Sequence, residues 1–188
     1  MPACFRTLAI VVAMIGATGC VGATERGDFD REIQRRGGGV TNEWLAESLD
    51  ALADEVGADD ARDVRVMSLN ANPGTRSMTA LAQRNDRPDD VDTVSIRDRE
   101  VTSTTPVPDV DELVLDDVTV RLGELPLDRI EDLADRALAA FDADGAYVER
   151  ISIAVRAQTP TITLRISSER DTGGVVFDAA GELIEVER

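Results

Sequence analysis

The feature that most restricts this chain is a pattern that occurs twice. Apolar residues come at helical spacing, an acidic turn follows, and then short stretches alternate apolar with polar. In the later copy Ile130, Leu133, Ala134, Ala137, Leu138 and Phe141 fall on one helix face. They follow Pro126 and Asp128-Arg129-Ile130-Glu131, which has the Asp-x-x-Glu spacing of a capping box. In the earlier copy Leu45, Leu49, Leu52, Ala53 and Val56 stand 85 positions before five of those residues, behind Thr41-Asn42-Glu43-Trp44. A helix with one apolar stripe must bury it against another layer, and strands with one apolar face supply that layer.

The turns Gly57-Ala58-Asp59-Asp60 and Asp142-Ala143-Asp144-Gly145 lead into the strand patterns. In the later copy these are Ile151 to Val155, Thr161 to Ile166, and a hairpin of Val175-Val176-Phe177 with Leu183 to Val186. In the earlier copy they are Val64 to Met67, Met78 to Ala82, and Val94-Ser95-Ile96 with Val101. The predicted fold is α+β, two tandem helix-plus-antiparallel-sheet units made by internal duplication. The first unit covers 41–108 and the second 109–188, joined near Thr104-Thr105-Pro106-Val107-Pro108. Val118, Val120 and Leu122 alternate, which predicts an edge strand ahead of the second helix. With one Trp, one Tyr and four Phe, packing falls to Val, Leu, Ile and Ala.

The ending Gly-Gly-Val-Val-Phe-Asp-Ala-Ala-Gly-Glu-Leu-Ile-Glu-Val, residues 173–186, resembles the closing hairpin of PepSY-like and similar cystatin-shaped modules of bacterial envelope proteins. The resemblance covers one helix and the strands after it. It implies a binding or regulatory module rather than an enzyme.

Residues 1–19 read as a signal peptide, with one charge at Arg6, an uncharged run from Leu8 to Ile15, and small residues from Gly16 to Gly19. Ala17-Thr18-Gly19-Cys20 resembles the lipobox of bacterial lipoproteins, with Ala17 where Leu is usual. The resemblance implies cleavage between Gly19 and Cys20 and a lipid on the Cys20 thiol, holding the protein on the extracytoplasmic face of the cell membrane. The whole chain resembles actinobacterial-type membrane lipoproteins of similar length, from which no catalytic residue carries over. Cys4 is the only other cysteine and lies in the leader, so an exported Cys20 has no disulfide partner within the chain. An uncleaved anchor is the competing reading, since Thr7 to Ala23 is 17 uncharged residues, although three glycines and two threonines suit a span poorly. Cleavage to a soluble secreted form is another.

Residues 20–40 form the lipidated Cys and a spacer. It separates the membrane from a domain that carries 19 Arg against 37 acids once Arg6 is removed. Within it Phe29 and Ile33 lie four apart, acids come first, Arg35 and Arg36 last, and Gly37 stands at the stop. A short helix packing on the main domain is the alternative to a tether.

Composition removes most chemistry. The chain has no His, and all 20 basic residues are Arg, so the usual general base, zinc ligand and Schiff-base amine are absent. No catalytic residue, cofactor or metal site is assigned. Asp142-Ala143-Asp144-Gly145 opens like a calcium loop, but its twelfth position is Ile153. The clusters Asp59, Asp60, Asp63 and Asp89, Asp90, Asp92 read as solvated loops, and Trp44 as a staple between helix and sheet. A net charge of −17 excludes nucleic acid as a partner.

Two functions remain. The first is a non-enzymatic module that binds an envelope protein or peptide, by strand addition to a concave sheet or an exposed edge. The alternative is a carrier of a lipid or other hydrophobic ligand between helix and sheet, which needs a continuous apolar cavity above roughly 300 Å³.

Overall fold

The computed structural model describes residues 39–108, 110, 112–156 and 158–188. The leader, Gly19, Cys20 and the spacer through residue 38 lie outside the described residues.

Helix α1 (Asn42–Val56) begins where Thr41, in extended conformation, turns its Oγ1 to accept the Trp44 amide at 3.1 Å. It ends at Gly57, whose φ of 77° lets the Ala58 amide return to the Ala53 carbonyl. Its buried stripe is Trp44, Leu45, Leu49, Leu52, Ala53 and Val56. Strands β1 (Arg65–Asn72), β2 (Ser77–Gln83), β3 (Val91–Arg97) and β4 (Glu100–Pro106) follow as a meander. After a connector containing α2 (Glu112–Val118) and β5 (Val120–Arg121), the plan recurs with α3 (Ile130–Phe141) and strands β6 (Tyr147–Arg156), β7 (Thr159–Ser167), β8 (Thr172–Phe177) and β9 (Leu183–Glu187).

The two expected sheets are one. All nine strands form a single antiparallel sheet in the order β4-β3-β2-β1-β6-β7-β8-β9, with β5 beside the start of β1. The first strands of the two meanders meet through Ser68↔Ala154, Leu69↔Ile153, Asn70↔Ser152 and Ala71↔Ile151. Joining there removes two sheet edges that separate units would expose.

Directly paired residues share a face. One row therefore runs Val94, Ala80, Leu69, Ile153, Ile162, Phe177 across the whole sheet, every member buried. Both helices cover this face, α1 over β2 to β4 and α3 over β6 to β8, and a single hydrophobic core spans both halves. The opposite face is polar; its middle row reads Ser103, Ser95, Thr79, Asn70, Ser152, Thr163.

Register breaks occur at matching places. One lies between Val66 and Ser68 in β1 and between Val148 and Arg150 in β6. The other lies between Ser95 and Ile96 opposite β4 and between Val176 and Phe177 opposite β9. Each leaves one residue extra on the edge strand, Thr102 or Ile184.

Two local expectations are corrected. The Asp128–Glu131 capping box does not form, because residues 127–129 make a 3-10 turn and the residue before α3 is Arg129, which gives no side-chain cap. The cap comes from the other helix instead. Asn42 Oδ1 accepts the Glu131 amide at 3.2 Å, and Glu131 Oε1 accepts the Asn42 amide at 2.7 Å, so two helix N-termini satisfy each other. Of the edge strand expected from Val118, Val120 and Leu122 only Val120–Arg121 forms, paired with β1 alone, because Val118 ends a helix and Leu122 begins a 3-10 turn. Only Arg65 and Val66 of β1 remain for it to pair with, since β6 takes Ser68 to Ala71.

Candidate functional site

The groove with the most apolar floor lies between α1 and the connector. Its volume is about 410 Å³. Leu49 lines it from α1, and Leu122, Leu125 and Leu127 from the connector. Ala46 and Ala61 add small apolar surface, and Asp50, Asp60, Arg62 and Asp128 form a charged rim. No lining residue belongs to a strand, so the groove opens beside the helix and not between helix and sheet.

The connector reaches this position for a steric reason. A Cβ on Gly123 would lie 2.9 Å from both the Cβ and the carbonyl oxygen of Arg62, so only glycine lets the two segments touch. The Leu122 amide donates to the Val64 carbonyl at 2.9 Å and fixes the same approach. Arg62 in turn is bound by Asp60, through contacts of 3.1 Å from Nε and 2.7 Å from Nη2. The Arg62 side chain and amide both donate to Asp60, which holds its carboxyl at about 2. With Arg62 neutralised in this way, Asp50 and Asp128 leave the rim net acidic, and both are exposed.

Four of the six acids in the clusters noted in the sequence, Asp60, Asp63, Asp90 and Asp92, are taken up by turns and arginines. Asp60 caps the 3-10 turn Ala61–Asp63, and Asp63 lies 3.7 Å from Arg121. Asp90 pairs with Arg87 at 2.7 Å, while Asp92 is buried and pairs with Arg84 at 3.1 Å. Arg84 also binds Asp86 at 2.8 Å, and these two hydrogen-bonded carboxylates raise its pKa further above the usual guanidinium range. Asp142 ends α3 in the left-handed region at φ 49°, with its amide bonded to the Leu138 carbonyl, as a helix-to-strand turn requires. Among the described residues no group of three or more His, Cys, Asp or Glu side chains could hold a metal ion. Trp44 is buried in the core, and its Nε1 has no hydrogen-bond partner among the described residues.

The outer strands are poor templates for an added strand. The bulge residue Thr102 on β4 turns its hydroxyl to the Ser95 carbonyl at 3.0 Å, and the strand ends in Pro106. On β9, the bulge at Ile184 breaks the register and Glu185 and Glu187 follow it, although Leu183 and Ile184 are exposed apolar residues. Bulges, charge and proline are the devices by which sheet edges resist pairing. Sequence reasoning missed the groove because it is built by 3-10 turns and a connector, which have no periodic signal; the Leu122-Gly123 step was its one trace.

No helix among the described residues is long and apolar enough to cross a membrane. No family model matches the chain, and no curated protein matches it. Among solved structures it is similar in fold to a "putative lipoprotein" from Clostridium difficile 630, at 14% identity and a TM-score of 0.51, over 73% of this chain and 88% of that one.

Proposed function

We propose that this is a lipid-anchored cell-envelope lipoprotein, attached through Cys20 at the extracytoplasmic face of the cell membrane, that acts as a non-enzymatic binding or regulatory module for a protein or peptide. The observation that carries the binding reading is the leucine-floored groove beside α1, which offers apolar surface inside an acidic rim, while a bulge interrupts the pairing of each outer strand. The anchoring reading is supported by Ala17-Thr18-Gly19-Cys20 and by the similarity in fold to the Clostridium difficile lipoprotein. The matched bulges at Val66/Ser68 and Val148/Arg150 support an internal duplication as the origin of the two halves.

The carrier reading gains from the groove's volume and loses from its place, since a transported acyl chain needs enclosure between layers. Two measurements test the proposal. Cys20→Ala is expected to abolish the lipid mass increment and detergent-phase partitioning; unchanged partitioning overturns the anchor. A photo-crosslinking residue at Ala46 is expected to capture a discrete envelope protein that the same residue at Thr79, on the open sheet face, does not. Identical products from both positions overturn the binding site.

A further inference from the structure

We propose that the groove beside α1 is the seat of the chain's own residues 28–36, Asp-Phe-Asp-Arg-Glu-Ile-Gln-Arg-Arg, with Phe29 and Ile33 against the leucine floor. This rests on the reading of the groove as a binding surface and names its resting occupant.

Three observations converge on it. The first is chemical fit: Phe29 and Ile33 stand four apart, the spacing that places two side chains on one helix face, and the floor of Leu49, Leu122, Leu125 and Leu127 is apolar. The second is charge. Asp50 and Asp128 are exposed on the rim and, among the described residues, pair with no arginine, while Arg62 is held by Asp60. The segment is net neutral, Asp28, Asp30 and Glu32 against Arg31, Arg35 and Arg36, but its acids come first and its end carries Arg35 and Arg36 together, in a chain whose acids outnumber its bases 37 to 20.

The third is reach. The described chain begins at Gly39, whose φ of 76° turns the backbone immediately before α1. From Thr41 to Leu49 along the helix is about 12 Å. Residues 34–39, extended, span up to about 20 Å, so the segment can fold back over α1 onto the groove. A nine-residue helix does not hold in water unaided, so its order depends on the surface it meets. An envelope partner for this groove must then displace an intramolecular competitor at millimolar effective concentration, and binding would be coupled to release of the tether.

Hydrogen exchange read by mass spectrometry on the full chain in detergent tests this. Amides of residues 29–36 are expected to exchange at least about tenfold more slowly than an open chain. The rim variant Asp50→Arg with Asp128→Arg, both at exposed positions, is expected to remove that protection. Adding Arg35→Glu and Arg36→Glu to the rim variant should restore it. Open-chain exchange in the unaltered protein, protection that survives the rim variant, or no restoration by the charge swap would each overturn the proposal. Protection at 29–36 without any partner crosslink at Ala46 would leave this inference standing and remove the external partner, so the two failures are distinguishable.

Discussion

The two halves of the sheet bury the same kind of surface with opposite allocations of bulk. The difference lies at particular positions: α1 carries Leu49 and Leu52 where α3, 85 residues on, carries Ala134 and Ala137, while the first-half strands bury Ala71, Ala80 and Ala82 beside Leu69, Met78 and Ile96. In the second half the strands supply Ile151, Leu164 and Ile166, and Ile130, Leu133 and Phe141 keep the rest of α3 large. Total volume between the layers is what close packing demands, and either layer can provide it. The electrostatic ties are inverted as well. Glu47 of α1 reaches Arg99 in the β3–β4 turn at 2.7 Å, whereas in the second half Arg136 of α3 donates to the Gly181 carbonyl at 2.8 Å, lies over the Phe177 ring and approaches Glu182 in the β8–β9 turn. Two regions can thus keep topology and bulges while exchanging both size and sign.

If bulk has been exchanged between layers, trimming the strand should hurt the second half and enlarging it should hurt the first. Leu164→Ala, at a fully buried site, is expected to cost about 3–4 kcal/mol by urea unfolding. A loss under 1 kcal/mol would mean that the second half does not rely on its strands for bulk. Ala80→Leu should cost about 2 kcal/mol through overpacking, and combining it with Leu52→Ala should cost less than the two changes separately. Simple additivity would break the comparison. Asn42→Ala removes one arm of the exchange between the helix N-termini and is expected to lower stability by about 1 kcal/mol, with faster amide exchange at Glu131. The smallest effect belongs to Glu47→Gln, no more than about 0.5 kcal/mol and vanishing in high salt, because its partner Arg99 is half exposed. A large salt-independent loss there would show that the tie is more than a surface ion pair.

Much of this architecture was legible because it rests on periodicity. The helix stripes at Leu45 to Val56 and Ile130 to Phe141, and the hairpin around Asp98-Arg99, follow from local spacing. What sequence could not show is that Leu69 and Ile153 would meet, since an alternating strand states which face is apolar and not which strand lies beside it. The Asp128–Glu131 capping box failed for a related reason: Glu131 found a better partner, Asn42, 89 residues away. At the groove, Leu122, Leu125 and Leu127 follow no helical or strand period, so only the steric demand at Gly123 marked the place. The reading of Cys20 rests on its sequence context alone, since it lies outside the described residues.

The paired N-termini of α1 and α3 also set a path for mechanical load. A pull transmitted through Gly39 is borne first by the Thr41 cap and the Asn42–Glu131 exchange, then along α1. Strand β1, hydrogen-bonded on both sides near the centre of the sheet, receives tension only after the helix and the turn behind it have given way. Were the proposed anchor at Cys20 to be pulled, the helix layer would be the fuse and the sheet the part it protects.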